Sequence, residues 1–517
     1  MPKVFHTIKD FFWPADKCLR RDRLWLAISG LILAAAWPPL PLGFLAFFAL
    51  IIPLDILSRR TFGGAFKGGF FFAYVYHLAT LYWIVWVTIP GTFAGCAIIS
   101  LYNGFVFGLF AGLYRRNKIL ALILMPFLWV GLEYFRTQTE IAFPWANLSY
   151  TQHAYLPFLQ FIEYTGDAGL SFIIVVVNIL LWRIWRTKKR RAQVAMAVTV
   201  GLLTVLPTIY GISVLKGANN PERHEYGPVI KIALLQGDVD LTTKWDPAML
   251  GWNLDLYDSL AGQAGEVDLI VWPETAAPEY LLSRHTLTAK VAATARKAHT
   301  PMLVGMLDTD ISDDKLTIEY FNAAVQFDAD GNYRIPYHKM MLVPYAETVP
   351  YRELTPWLQE TPLGWSDFAH GDKPQIYSNR FGSYGILICY EILFPELIND
   401  YIQNGADFLV NITNDTWWGH SSAPYQHGVM AVFRAIENRV YIARAANSGF
   451  SYFVDDFGRI INKSRFLERT IVRGEVYPLT GRTVFNRTGP FLGRLGLLLI
   501  GIVSLILPLI VLWEKRR

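Results

Sequence analysis

Residues 384–398 read YGILICYEILFPELI. The first five residues have the apolar character of a buried strand. The stretch after them carries helical spacing to about residue 404. Cys389 stands at the junction. A thiol there is expected near a helix N-terminus, where the dipole and free amide groups favour thiolate and can stabilise an oxyanion. The residues alone leave two readings open, a reactive nucleophile or a buried core cysteine.

The flanking sequence repeats the same alternation. Strand-like VIKIALLQGD precedes a helical stretch with Trp252, Leu256 and Leu260, and VDLIVWPE precedes a helix predicted over 285–298. PMLVGML, YFNAAVQFD with its Asp330-Gly331 turn, and ADFLVNITND follow, then a helix over 424–439 and the strands YIARAANS, SYFVDD and TIVRGEVY. Strands alternating with helices of this length predict an α/β or layered α+β domain over 221–490.

The rest of the chain has another character. Of 517 residues, 53% are hydrophobic and only 17% charged, and mean hydropathy is +0.28. Such a balance excludes a disordered chain and a wholly soluble one. Apolar runs start at Leu24 and Leu42, split by Pro38, Pro39 and Pro41. Others cover about 68–88, 93–113, 119–135, 166–182, 194–214 and 491–513. A single lipid-spanning segment must be a helix, so eight spans are expected. Seven form an N-terminal membrane domain over 1–220, and the eighth, with a cytoplasmic tail, lies in 491–517.

Charge placement fits that count. Lys3, Lys9, Lys17, Arg20, Arg21 and Arg23 precede the first span. Arg59, Arg60 and Lys67 lie between the second and third, and Arg115, Arg116 and Lys118 follow the fourth. Arg183, Arg186 and 188–191 follow the sixth, and Lys515, Arg516 and Arg517 the eighth. All then share one side. The positive-inside rule makes it the cytoplasm, with both termini there and 221–490 outside. The net charge of +5 is therefore read as topology rather than a nucleic-acid face. Cys18, Cys96 and Cys389 offer no zinc pair and no disulfide framework.

Glu274 ends VDLIVWPE, placed for general-base work on Cys389 or for an ordinary strand-end ion pair. Lys339 in IPYHKMMLVPYAE would support a thiolate and an oxyanion, or be a surface lysine. Glu347 would orient it. Tyr390 and Glu391 flank the thiol, and helix capping is the plain alternative for Glu391. Trp245 is either an aromatic of a lipid-facing loop or membrane interface, or simple core or interface filling. His420 and His427 lack metal-ligand spacing, and GxGxxG, P-loop and GxSxG patterns are absent.

Taken together, WPET, HKMMLVPYAE and ICYEILFPEL resemble the nitrilase (carbon-nitrogen hydrolase) superfamily. With the spans, the whole chain resembles its apolipoprotein N-acyltransferase family; ITNDTWWG and PYQHGVMAVFRAIENR also fit. The resemblance implies a polytopic α-helical membrane domain plus a nitrilase-like αββα sandwich. It implies Glu274 as base, Lys339 as oxyanion support and Cys389 as nucleophile, with Trp245, Glu347, Tyr390 and Glu391 in support. A phospholipid, usually phosphatidylethanolamine at sn-1, would give an acyl chain to Cys389, and the α-amine of a diacylated apolipoprotein would accept it. No cofactor, metal or nucleic acid is implied, and a monomer in the bacterial inner membrane with a periplasmic catalytic domain is expected. Apolar loops over the pocket are expected too, with 340–368 as one arm. The competing readings are a membrane-tethered nitrilase-like amidase and a non-enzymatic membrane scaffold.

Overall fold

The computed structural model describes residues 16–218, 228–311, 317–353, 367–478 and 481–516. The N-terminal part contains long helices α1 Lys17–Ala35, α2 Phe62–Thr80, α3 Ile89–Tyr114, α4 Lys118–Phe135, α5 Asp167–Arg186 and α6 Arg190–Gly217. Among the described residues, α3 to α6 and a C-terminal helix are long and apolar enough to cross a membrane. Helices α1 and α2 are 19 residues each and less apolar. The first opens with Lys17, Arg20, Arg21, Asp22 and Arg23, and the second carries Lys67 and His77.

The run at 42–57, expected as the second span, is broken into Gly43–Leu45, Ala46–Ala49 and Ile51–Leu57. The cause is a side chain inserted into its hydrogen-bond ladder. The Asn178 amide of α5 accepts from Leu50 N (2.8 Å) and donates to Ala46 O (2.8 Å), the two groups that would otherwise pair at i and i−4. Pro53, which lacks an N–H, removes a further bond.

Two sheets follow. The first has the order β13-β1-β2-β4-β5-β6, with β3 on β4; the second has β12-β11-β10-β9-β8-β7. The strands of the first are β1 Ile230–Gln236, β2 Leu269–Val271, β3 Ala277–Tyr280, β4 Met302–Ile311, β5 Ile318–Phe327, β6 Tyr337–His338 and β13 Thr470–Val476. Those of the second are β7 Ile376–Asn379, β8 Gly382–Ile388, β9 Phe408–Thr413, β10 Ile442–Ala446, β11 Tyr452–Val454 and β12 Ile460–Ile461. Each sheet has parallel central strands (β1-β2-β4 and β8-β9-β10) and antiparallel edges.

Strand alternation sets the layers. Ile230, Ile232 and Leu234 of β1 join a core with Ile386, Ile388, Val410 and Ile442 of the second sheet. Ala233 and Leu235 point the other way, into a separate core with α7 (Leu250–Gly262) and α8 (His285–Ala298). Helices α9 (Pro395–Gln403) and α10 (Ala423–Asn438) cover the outer face of the second sheet. The result is an αββα sandwich. Its α9/α10 side shares one continuous core with the membrane helices.

The last helix, α11 (Phe491–Arg516), returns along α4. Gly131 and Gly496 let the two backbones touch; a Cβ on Gly131 would stand 2.2 Å from the Gly496 carbonyl carbon. Replacing Gly131 by Val should therefore push α11 away and destabilise the detergent-solubilised protein by about 1–3 kcal/mol, the usual range for overpacking, read as a lower thermal midpoint.

Candidate active site

Cys389 follows β8 directly and adopts a left-handed backbone, φ +51°. The residues after it make one 3-10 turn, Cys389–Leu393, and α9 begins only at Pro395. The thiol therefore sits on a sharp elbow rather than at the expected α-helix N-terminus. Side chains hold the elbow on two sides. Ile388 N donates to Glu391 Oε2 (2.7 Å), and His427 Nε2 lies 3.2 Å from Cys389 O. Burial and the nearby Arg444 lower the His427 pKa, against Asp415. On its other side, Nδ1 lies 3.0 Å from Asp415 Oδ1 and 2.9 Å from Arg444 Nη2.

Glu391 also reaches the segment that carries Lys339. Its Oε1 accepts from Tyr337 OH (2.7 Å), Met340 N (2.7 Å) and Met341 N (3.2 Å). One fully buried carboxylate thus caps the elbow and anchors the lysine arm. Its pKa rises to about 7, because burial outweighs the donors around it.

Lys339 Nζ lies 3.6 Å from Glu274 Oε1 and 2.8 Å from Glu347. Asn322 Nδ2 donates to both carboxylates, at 2.8 Å to Glu274 and 3.0 Å to Glu347. Val343 N donates to the other Glu347 oxygen (2.8 Å). Gly305 of β4 makes room for the Glu274 turn: a Cβ there would be 2.3 Å from Pro273 O and 2.8 Å from Glu274 Cα. Burial alone would lower the Lys339 ammonium, but Glu347 and Glu274 outweigh it and hold it well above its ordinary value. Burial also raises Glu274, against Lys339. Burial first, then the Glu274 charge, push the Cys389 thiol well above its ordinary range. Lys339 pulls the thiol down, as expected from the sequence, but burial and Glu274 outweigh it.

Cys389, Glu274, Lys339, Glu347, Tyr390 and Trp245, all singled out in the sequence, line one cavity of about 270 Å³. Its far wall belongs to the membrane part: Trp83, Ile84 and Val87, then Gly91, Gly95 and Ile99 of α3. Ile99 lies ten residues past the start of α3, about 15 Å along the axis. Gly95 faces open space, with nothing within 4 Å of a Cβ placed there. Val343 to Glu347 and Phe368 supply the side formed by the expected 340–368 arm, of which 354–366 lie outside the described residues. Tyr390 OH donates to Ala142 O (2.8 Å), tying the elbow to the membrane part.

The sequence reading missed three contributors. Lys244 Nζ donates to Glu274 O (2.8 Å) from a fully buried position. Its neighbour Trp245 was noticed instead. Asn322 was a legible signal, a polar residue within the apolar strand YFNAAVQFD. His427 reads as packing from its spacing, and only the fold brings it under Cys389. The other flagged histidine, His420, stacks edge-on with Phe466 instead.

Residues 231–481 match the carbon-nitrogen hydrolase family model, and residues 29–180 match the apolipoprotein N-acyltransferase N-terminal domain model. The chain is 36% identical over 492 residues to an apolipoprotein N-acyltransferase of Geobacter metallireducens, covering 92% of this chain and 93% of that one. It is 30% identical to the enzyme of that name from Rickettsia prowazekii, over 86% and 90% of the two chains. Among solved structures, an amidase from Nesterenkonia sp. is 19% identical, with TM-score 0.36, covering 48% of this chain and 91% of that one.

The Glu391 clamp gives a direct test. Glu391→Gln keeps the size but puts a second donor against backbone N–H groups. Loss of roughly 2–3 kcal/mol of stability is expected from the unmet hydrogen bonds, read by thermal unfolding, together with at least a tenfold slower alkylation of Cys389.

Proposed function

This chain belongs to the apolipoprotein N-acyltransferase family, and on that premise we propose that it moves an acyl chain from a membrane phospholipid, through a thioester on Cys389, to the α-amine of the diacylglyceryl-cysteine of a lipoprotein. The donor ester is the sn-1 ester of phosphatidylethanolamine. One observation carries this reading: a single cavity is lined both by Cys389, Glu274 and Lys339 and by an apolar wall of membrane helix α3. A small-amide hydrolase has no use for that wall.

In this reading the residues act in turn. Glu274 takes the thiol proton as sulfur attacks the ester carbonyl. Lys339, held by Glu347, faces the oxyanion that forms. The carbon–oxygen bond breaks, the lysophospholipid leaves with the proton from Glu274, and the acyl group stays on sulfur. The acceptor amine then attacks the thioester. Its proton passes to Glu274, and thence to the departing Cys389 thiolate. Trp245 and Tyr390 shape the cavity. The apolar wall excludes water that would hydrolyse the thioester.

We also place the α/β domain in the periplasm, with both termini in the cytoplasm and the protein working as a monomer in the inner membrane. Two ion pairs support the orientation. Arg116 binds Glu514 in two contacts (2.7 and 3.0 Å), and Arg186 binds Asp55, at helix ends remote from the sandwich. Those ends carry the basic clusters.

Purified protein with phospholipid and a diacylated lipopeptide should give lysophospholipid, triacylated product and an acyl group trapped on Cys389. Ammonia from small amides with no acyl transfer would reverse the reading. Cys389→Ala should fold and form no thioester, and Glu274→Gln should slow thioester formation by roughly 10²–10⁴-fold. Glu274 acts when ionised and its pKa is raised. Acylation should therefore fail as pH falls through that raised value, above the ordinary carboxylate range, in a pH–rate profile. Gly95→Phe would fill the open part of the wall. It should depress transfer from long-chain donors more than from short-chain ones, measured as the ratio of their kcat/KM values.

A further inference from the structure

Lys244 has no part in the steps above. It ends the single turn Leu241–Lys244, which Asp240 caps by accepting from Thr243 N (3.0 Å). Its side chain is 2% exposed, and its ammonium donates to the main-chain carbonyl of Glu274 (2.8 Å). It stands behind Glu274, outside the cavity lining. The Glu274 turn needs such a hold. Thr275, next in the chain, has φ +46°, and Asn253 Nδ2 binds the following carbonyl, Ala276 O (2.6 Å). Two side chains therefore grip successive parts of the turn that carries the base. Only one of them is a cation, and a buried unpaired cation is an expensive way to hold a carbonyl. An amide already does that work at Ala276.

The charge has a use if it is felt by the reacting pair. Glu274 is faced by Lys339, Glu347, Asn322 and Lys244; Lys244 is faced by Glu274 and Cys389. Lys339 and Lys244 stand against Glu274 and Glu347, and Cys389 is also faced by Asp415 and Arg444. When sulfur gives up its proton, Lys244 is a further cation, beside Lys339, to meet the new negative charge. We propose that Lys244 is a positioning residue for the transfer reaction, holding the Glu274 turn and supplying the second positive charge that keeps Glu274 ionised and lets Cys389 release its proton. This rests on the acyl-transfer reading above. Burial brings Lys244 down to about 7, against the charges of Glu274 and Cys389.

Two substitutions separate charge from shape. Lys244→Gln keeps a donor for the carbonyl and loses the charge; Lys244→Arg keeps the charge. Both are made in the full-length protein with Cys18→Ser and Cys96→Ala, so that Cys389 is the only thiol. Single-turnover release of lysophospholipid is followed against pH, and so, separately, is alkylation of Cys389 by iodoacetamide, which needs no lipid. For Lys244→Gln, the acid limb of acylation and the alkylation midpoint should both move up by about one pH unit, with roughly tenfold slower acylation at neutral pH. Lys244→Arg should restore both midpoints even where its rate stays low. If Lys244→Gln does not accumulate folded, Lys244→Met carries the same readout. A neutral variant with both midpoints at the parental pH overturns the proposal, as does an arginine variant that shifts like the neutral one. If the parent protein releases no lysophospholipid, it is the transfer reading that fails, and the alkylation profile still decides the role of Lys244.

Discussion

Everything in this molecule is arranged around charge kept out of water. Glu274, Lys339 and Glu347 meet within hydrogen-bonding or ion-pair distance in a site where Lys339 is 1% exposed. Each buried ion costs several kcal/mol of lost hydration, and mutual attraction recovers this only with good geometry and filled hydrogen bonds. Asn322 supplies some of those bonds, and the Val343 amide others. The two sheets hold the partners: Glu274, Asn322 and Lys339 come from the first, Cys389 from the second. The sandwich interface is therefore where the chemistry must sit. No single strand or helix brings these groups together.

The membrane part completes the site. The Gln426 carbonyl on α10 accepts from Trp83 (3.1 Å) and Trp145 (2.9 Å), and its amide donates to Thr80 O (3.1 Å). Asp167 N at the start of α5 donates to Glu437 on α10 (2.7 Å). These bonds are buried, so separating the two parts would strand several polar groups at once. That fixes the apolar wall of α3 opposite Cys389. Cys389 and the apolar residues of α3 then line one enclosure, and on the acyl-transfer reading the entropy lost in bringing an acyl chain to the thiol would be met by the fold in advance.

Much of this was legible in the sequence. Strand and helix periodicity placed α8 and α10 almost to the residue, because their apolar faces are regular. Glu274 and Cys389 stand just past apolar strands, but each had an ordinary structural reading too, and it was WPET, HKMMLVPYAE and ICYEILFPEL taken together that singled out Glu274, Lys339, Glu347 and Cys389. The break at 46–57 was not legible, since its cause is an asparagine more than 120 residues away. Lys244 and His427 were hidden for the same reason. Each acts on a backbone carbonyl that only tertiary structure brings near, and no local pattern records such a contact. The pull of Lys339 on the thiol was legible because proximity to an ammonium is readable from motifs, whereas the opposing depth of burial is not.

That depth bears on how the nucleophile is controlled. A cysteine that rests as thiolate is open to oxidants and to any electrophile, since both reactions follow the thiolate. Here desolvation pushes the thiol up, and burial raises Glu274 as well. On the acyl-transfer reading, Lys339 on one side and the developing bond to an ester carbonyl on the other would meet the charge that forms when the proton moves. On that reading, sulfur becomes a nucleophile as Glu274 takes its proton, so its reactivity follows the ionisation of Glu274 as well as occupancy of the cavity.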